Sequence, residues 1–440
     1  MDPLFFSVRL PTWLAIFWHV HLRRARVREI SEREPLSFIV IRLDSLGDVV
    51  LTTPLFRALK TSHPSCRCTV VVQPGYKSLL VTNPHIDEIL TLPKIELRWL
   101  PQRAKLLFAA VLLYWTRLRH RQFDYAISPR WDADEHLATL LCILTHAAKR
   151  VGYSSATSAA KRRMNAGFDT AFDVCLPAGP VCHEIQRNLA VAASLGATSC
   201  DDRLEIQLTD RDRRRAAKLL ANAAAGAKLI ALGIGAQSPG RRWPLARYAE
   251  TINLLGTNDN IQAVIVCSSA ELEDALKVNA MLDRSAVIIS GAHLREVCAV
   301  LERVDIFIGN DSGCAHLAAA IGCKTLVVSR HPHGGDPNHF NSPVRFSPHG
   351  AQVRILQPQS GRDSCKEACV VRAPHCIETV TVAEVTAAAQ QMLSTPVTRA
   401  PAPMKPWMTL ASQRLFRVHG IDAVRRAVAK LGKTVERPVL

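Results

Sequence analysis

Asp44, Ser45, Gly47 and Asp48 stand together in "IRLDSLGDVVLTTP", residues 41–54, where an apolar strand should hand over to a helix. A glycine at that handover permits a tight turn, and the turn sets Ser45, Leu46, Gly47 and Asp48 at the rim of a sheet, where open α/β sheets hold their ligands. Two roles suit Asp48: cap of the helix it opens, or general base facing a second domain. Asp44, one residue beyond the strand, reads as structural.

A second polar turn, "GIGAQSPGRRWP", residues 233–244, follows another apolar run. Its backbone N–H groups from Gly235 to Ser238 suit phosphate oxygens, with Arg241 or Arg242 to neutralise them. Taken alone, this turn fits an ordinary connection with solvated arginines equally well. The third turn is in "GNDSGCAHLAAAIG", residues 309–322. Asn310 and Asp311 end a strand, Ser312 and Gly313 turn, and a helix opens near Cys314. The free N–H donors and positive dipole end of that helix suit a diphosphate, and His316 projects from its first turn.

The elements that carry these turns alternate. From Ser37 on, short β-branched runs ("SFIVIRL", "CTVVVQ", "DEILTL", "FDYAIS", "KRVGY") are separated by helix-like segments such as "VVLTTPLFRALKTS" and "DEHLATLLCILTHA". After helices ended by Gly196 and by Gly226, the alternation restarts at "KLIALGIG" and runs to "KTLVVS". The pattern predicts an α/β protein of two doubly wound Rossmann-like domains facing each other across a cleft. The expected organisation is an aromatic and basic extension over 1–34, an N-terminal domain over 35–205, a C-terminal domain over 206–395, and a Pro-rich linker with a basic amphipathic tail over 396–440.

A chain of 440 residues with 48% hydrophobic and 21% charged residues is globular, not disordered, and is long enough for two cores. Its 55 Lys+Arg against 38 Asp+Glu give +17, which calls for an anionic partner. Thirteen scattered cysteines and a start that makes a poor signal peptide point to reduced thiols in the cytoplasm. Cys365, Cys369, His375 and Cys376 fall within twelve residues, a spacing that admits zinc but lacks a paired C-x-x-C. Reduced cysteines in a loop are the simpler expectation, with a local disulfide as a further alternative. The stretch "LFFSVRLPTWLAIFWHVHLRR" near the start is interrupted by Arg9 and Pro11 and is too short to span a bilayer, but suits an in-plane contact, as does the basic helical pattern between Trp407 and Lys433.

In order and spacing, "IRLDSLGDVVLTTPLFRAL", "NPHIDEIL", "GAQSPGRRWPLARYAE", "DIFIGNDSGCAHLAAAIG" and "CIETVTVAEV" resemble glycosyltransferase family 9, the heptosyltransferase-like enzymes of lipopolysaccharide core assembly. The resemblance covers roughly residues 37 to 393. It implies a GT-B fold, inverting transfer of a sugar from a nucleotide diphosphate, no cofactor and no obligatory metal. It also assigns roles: Asp48 as catalytic base beside the cleft turn of Ser45 and Gly47, and Gln237, Ser238, Arg241, Asp311, Ser312, Gly313 and His316 as donor-binding residues. The implied partners are a nucleotide-sugar donor, ADP-heptose first, and an anionic glycolipid acceptor met at the cytoplasmic face of the inner membrane, with no nucleic acid. Cys314 and the long His-rich stretch "SRHPHGGDPNHFNSPVRFSPHG" depart from the family pattern and leave the sugar open.

Two rival classes remain: a basic two-domain protein that binds an anionic polymer, and a GT-B-like sugar-nucleotide epimerase. The first would show basic residues interleaved with aromatics on one face, which Tyr114, Trp115, Arg117, Arg119 and Arg121 approach. The second would turn over donor without acceptor.

Overall fold

The computed structural model describes residues 35–395 except 98, 200, 258, 351, 363, 364, 366, 367 and 370. The expectations for 1–34 and 396–440 therefore lie outside the described residues. Two six-stranded sheets carry the fold. The first holds β1 Ser37–Arg42, β2 Arg67–Val72, β3 Glu88–Thr91, β4 Tyr125–Ser128, β5 Lys149–Tyr153 and β6 Val174–Leu176, in the order β3-β2-β1-β4-β5-β6. The second holds β7 Lys228–Gly233, β8 Ile261–Cys267, β9 Val287–Ser290, β10 Ile306–Asn310, β11 Thr325–Val328 and β12 Val353–Leu356, in the order β12-β11-β10-β7-β8-β9. Every pairing is parallel.

Counted from the first strand of each sheet, both orders are 3-2-1-4-5-6, so both halves are doubly wound and each reverses direction once. The reversal falls between β1 and β4 in the first sheet and between β7 and β10 in the second. The crevice past the strand ends at a reversal is where such sheets bind ligands. The turns that leave β1, β7 and β10 are the three singled out in the sequence.

Helices cover both faces of each sheet, and this is why the inner strands are apolar without a gap. In β1, Phe38 and Val40 enter one core cluster while Ile39 and Ile41 enter the cluster on the opposite face. In the second sheet Ile306 and Ile308 of β10 face one cluster and Phe307 the other.

The edge strands β6 and β12 are absent from the sequence reading. They have only three and four residues, of which Leu176 alone is fully buried, so neither carries a sustained apolar run. The helix expected after β1 is two, Leu46–Leu51 and Thr53–Ser62, because Pro54 in the first turn of the second has no N–H to give. "DEHL" is not helical. The Asp134 carboxylate accepts the N–H of Ala138 (3.0 Å) and Thr139 (2.8 Å), which holds that stretch outside a helix running Ala138–Leu144. Gly196, with φ +90, closes the helix Glu184–Ser194 as expected, but the helix assigned to Gly226 ends at Leu219.

The two halves touch through apolar and polar side chains: Val50 and Leu79 of the first enter a core cluster with Val297, Ala315 and Leu317 of the second. Arg295 of the second reaches Ser78 O (3.3 Å) and Thr82 Oγ1 (2.9 Å) of the first. His183, the N-cap of Glu184–Ser194, takes the Ile185 N–H on Nδ1 (3.3 Å), so its Nε2–H donates to Ser347 O (2.9 Å) in the second half.

Candidate active site

Past β1 the chain turns into Leu46–Leu51, and Asp48 closes that turn. Its Oδ2 accepts from Ser45 N (3.1 Å) and Ser45 Oγ (2.6 Å), while its Oδ1 faces Arg42 Nη2 (3.0 Å) and Arg130 Nη1 (3.6 Å). The capping role is thus real, and it occupies only one carboxylate oxygen. Burial by itself would raise the Asp48 carboxyl, but Arg42, Arg130 and the two Ser45 bonds outweigh it and bring the carboxyl to about 2.

Asp44 shares both arginines: Arg42 Nε lies 3.3 Å from its Oδ2 and Arg130 Nε 3.4 Å from its Oδ1. Here burial prevails and the carboxyl is raised. Two carboxylates under the same cations are therefore pushed in opposite directions, an arrangement associated with acid–base work. Asp44 is thus held in the same ion-pair network as Asp48, an arrangement that its expected structural role also allows.

Arg42 continues the network inward to Glu184 (3.6 Å), which also faces Arg187 (3.3 Å) and Arg345 (3.8 Å). Arg345 pairs with Asp132 at 2.6 Å, and the guanidinium groups of Arg187 (3.9 Å) and Arg345 (4.6 Å) both lie over the Trp131 ring. Four arginines thus stand against Asp44, Asp48, Asp132 and Glu184. Arg345 belongs to the second half, in the His-rich stretch after β11, and carries that stretch across to the first. Arg42, Arg130, Glu184 and Arg345 were missed in the sequence. Arg42 alone left a signal there, a cation within the apolar run "FIVIRL" that has to be paired if the run is buried.

In the second half, Asn310 at the end of β10 ties two turns together. Its Oδ1 accepts from Trp243 N (2.8 Å) and Tyr248 OH (2.9 Å), and its Nδ2 donates to Ile234 O (2.8 Å). Arg241 then reaches Asp311, donating from Nη2 to the carboxylate (2.8 Å) and to the carbonyl O (2.5 Å). Arg242 points away, to Ala236 O (3.2 Å) and Asp274 (3.5 Å). The structure thereby separates two arginines that loop chemistry alone leaves equivalent and of which the family resemblance names only Arg241. Ser238 precedes the short 3-10 turn Pro239–Arg241, and Gln237 beside it is exposed.

The helix opened by Ser312 runs Gly313–Ala320. Arg241 Nε, Ser312 Oγ and His316 Nδ1 are buried polar atoms without a hydrogen-bond partner. Buried donors and acceptors are costly when unmet, so three at one helix start mark a place shaped for a polar ligand. Burial keeps the His316 imidazole below its ordinary range, against the pull of Asp311 and Asp48.

The turns of the two halves abut. A Cβ built on Gly47 would lie 2.7 Å from His316 Cδ2, and one built on Gly313 would lie 2.7 Å from Leu46 Cδ2. Asp48, Ser45, Gly47, Arg241, Asp311, Ser312, Gly313 and His316 therefore converge, while Gln237 and Ser238 stand at the outer rim of the same turn. A paired carboxylate on one wall and uncommitted donors on the other suit a displacement in which a proton leaves one reactant as negative charge builds on the other.

The class defined by two facing Rossmann-type domains with a site between their switch points is that of GT-B glycosyltransferases. Solved relatives share the fold: glycosyl transferase family 9 from Veillonella parvula (TM-score 0.66, 20% identity, 83% of this chain and 99% of that one) and E. coli ADP-heptose lps heptosyltransferase II (0.59, 17%, 81% and 98%). The chain belongs to glycosyltransferase family 9 (heptosyltransferase), whose profile matches residues 111–332, half of its length. It is 24% identical over 333 residues to the lipopolysaccharide core heptosyltransferase OpsX of Haemophilus influenzae, covering 74% of this chain and 89% of that protein. To lipopolysaccharide heptosyltransferase 3 of Escherichia coli it is 21% identical over 289 residues, 64% of this chain and 80% of that protein.

Proposed function

We propose that this glycosyltransferase is an inverting, metal-independent enzyme that moves heptose from ADP-heptose to an anionic acceptor of the lipopolysaccharide type. The observation that carries the donor side is the trio of unpartnered polar atoms, Arg241 Nε, Ser312 Oγ and His316 Nδ1, at the start of Gly313–Ala320. A diphosphate supplies oxygens to all three and sits favourably at the helix dipole. Gln237 and Ser238 contact the donor from the rim. As the acceptor hydroxyl attacks the anomeric carbon, the bond from that carbon to the diphosphate oxygen breaks on the opposite face. Arg241 and the helix N–H groups take up the charge on the leaving group, in place of a metal ion. The hydroxyl proton passes to Asp48, whose anion is kept in place by Arg42, Arg130 and Ser45.

The raised carboxyl of Asp44 favours a second reading in which Asp44 takes the proton and Asp48 holds the turn. Asp44→Asn and Asp48→Asn compared at equal donor occupancy separate the two.

The acceptor carries a lipid, and a surface suited to it lies in the first half. Trp99, Phe108, Val111, Leu112 and Trp115 are exposed along and beside the helix Gln102–Leu113, with Arg103 exposed there and Arg119 5.5 Å over the Trp115 ring. Aromatics with arginines suit the interface of an anionic bilayer, and this supports peripheral contact with the cytoplasmic face of the inner membrane. No helix among the described residues is long and apolar enough to cross a membrane.

The deciding experiment is a thermal-shift series with ADP-heptose and other nucleotide sugars, followed by transfer to a defined acceptor. A ligand at a hundredfold excess over its Kd stabilises by about 2.7 kcal/mol, which is easily read. No shift with any nucleotide sugar would end the proposal.

A further inference from the structure

The segment between β12 and the helix Val382–Ser394 is long and, among its described residues, mostly irregular. It nevertheless buries three cysteines almost completely: Cys365, Cys369 and Cys376 are 0%, 1% and 0% exposed. His375 stands among them, its Nδ1 lying 3.8 Å from Cys365 Sγ, 3.9 Å from Cys369 Sγ and 3.4 Å from Cys376 Sγ. One ligand atom from each of the four residues lies within 4.8 Å of all the others. Sulfur and nitrogen ligands in a tetrahedron around zinc, with bonds of 2.0–2.3 Å, stand roughly 3.4–3.8 Å apart. The three sulfur–nitrogen separations, 3.4–3.9 Å, fall at that edge, and drawing together the wider pairs, none beyond 4.8 Å, completes it.

We infer that Cys365, Cys369, His375 and Cys376 form a structural zinc site that braces the Arg241 turn. Three thiols and an imidazole suit zinc rather than a disulfide, since any one S–S bond leaves a buried thiol over. Each ligating thiol releases its proton to solvent, so the filled site carries three thiolates and one Zn²⁺, a net charge of −1. The surroundings answer that charge. Arg362 donates its backbone N–H to Cys376 Sγ (3.4 Å), the kind of outer contact that fixes a thiolate ligand.

The same segment is in contact with the donor side of the cleft. A Cβ on Gly240 would lie 2.5 Å from Val371 O and 3.0 Å from Arg372 O, and Arg330 Nη1 donates to Val371 O (3.4 Å). Residues 371–372, between the second and third ligands, are therefore the backing of Gly240, the residue before Arg241. With little apolar core of its own, the segment needs a staple to serve as a wall. The site lies behind the turn and takes no part in the transfer.

The test uses the full chain, purified under reducing conditions without chelator, with metal content read by plasma mass spectrometry and backbone mobility by hydrogen exchange. About one zinc per chain is expected. Cys369→Ser and Cys376→Ser should each lower it severalfold, while Cys175→Ser, a half-buried thiol of the first half, should leave it unchanged. Stripping zinc with a strong chelator should speed exchange in residues 238–242 and 361–376, and added zinc should restore protection there. That reversal keeps the test sharp even where a cysteine variant fails to fold. Protein that holds no zinc, holds iron in its stoichiometric place, or exchanges identically at 238–242 with and without metal would overturn the inference. None of these readouts needs donor or acceptor, so the donor assignment can fail while the zinc site stands, and the reverse.

Discussion

His316 rests against Gly47: a Cβ at that glycine would lie 2.7 Å from His316 Cδ2 and 2.9 Å from Nε2. Gly47 lies not in the turn itself, as expected, but in the first turn of the helix after β1, with no left-handed φ, and His316 lies in the helix after β10, so this contact joins the two walls of the site. Gly47→Ala therefore sets two effects against each other. Alanine in a helix gains up to about 1 kcal/mol over glycine, while overpacking costs about 1–3 kcal/mol. With His316 buried and hemmed in, the clash should prevail. Expected outcomes are a lower Tm and a loss of turnover above tenfold, with Tm recovered in Gly47→Ala/His316→Ala.

The paired carboxylates predict a kinetic split. Asp48→Asn is expected to lower kcat by on the order of a hundred- to ten-thousandfold with little change in ADP affinity. Asp44→Asn should cost less than tenfold. The opposite ranking would transfer the proton to Asp44.

The two adjacent arginines should differ in their effect on nucleotide binding. Arg241→Ala removes a charged donor from the site, a loss of about 1.5–3 kcal/mol, which corresponds to roughly ten- to hundredfold in Kd for ADP. Arg242→Ala, which loosens only contacts to Ala236 and Asp274, should stay within about threefold by calorimetry. Equal effects would mean that the contact between Arg241 and Asp311 does not mark the donor side.

Stability should fall with acid through His183. Burial pushes its imidazole from 6.5 down to about 3 despite the bond to Ser347 O. The unfolded chain therefore takes up a proton near pH 6.5 that the folded chain refuses until about 3, so this contribution is complete above pH 6.5 and is lost progressively as pH falls toward 3. His183→Gln should be less stable at pH 7 and show a shallower decline in Tm between pH 7 and 4. A parallel decline in both proteins would remove His183 as the cause.

Transfer should proceed without added divalent cation. Brief EDTA treatment, followed by assay with and without magnesium or manganese, should give equal rates. Restoration by magnesium or manganese would place a metal at the diphosphate; restoration by zinc alone would instead report the cysteine site.

Much of this protein is written locally. The three turns at Asp48, Arg241 and Asp311 were legible because a glycine between an apolar strand and a helix marks a strand end whatever lies around it. The doubly wound class was legible for a similar reason, since inner strands covered on both faces must be apolar throughout. The edge strands β6 and β12 carried no such mark, being short and open on one side. Other features depend on separations that only folding closes. Arg345 meets Asp132 across 213 residues, and Arg241 meets Asp311 across 70. No local pattern sends Arg241 to Asp311 and Arg242 to Ala236, or raises Asp44 while lowering Asp48; which way each guanidinium points, and how far each carboxylate is buried, is decided by neighbours from distant segments. The four ligands at 365–376 are close in sequence, yet a loop of reduced thiols has the same letters as a zinc site. Only the path of the backbone, folded against Gly240, brings their sulfur and nitrogen atoms within 4.8 Å of one another.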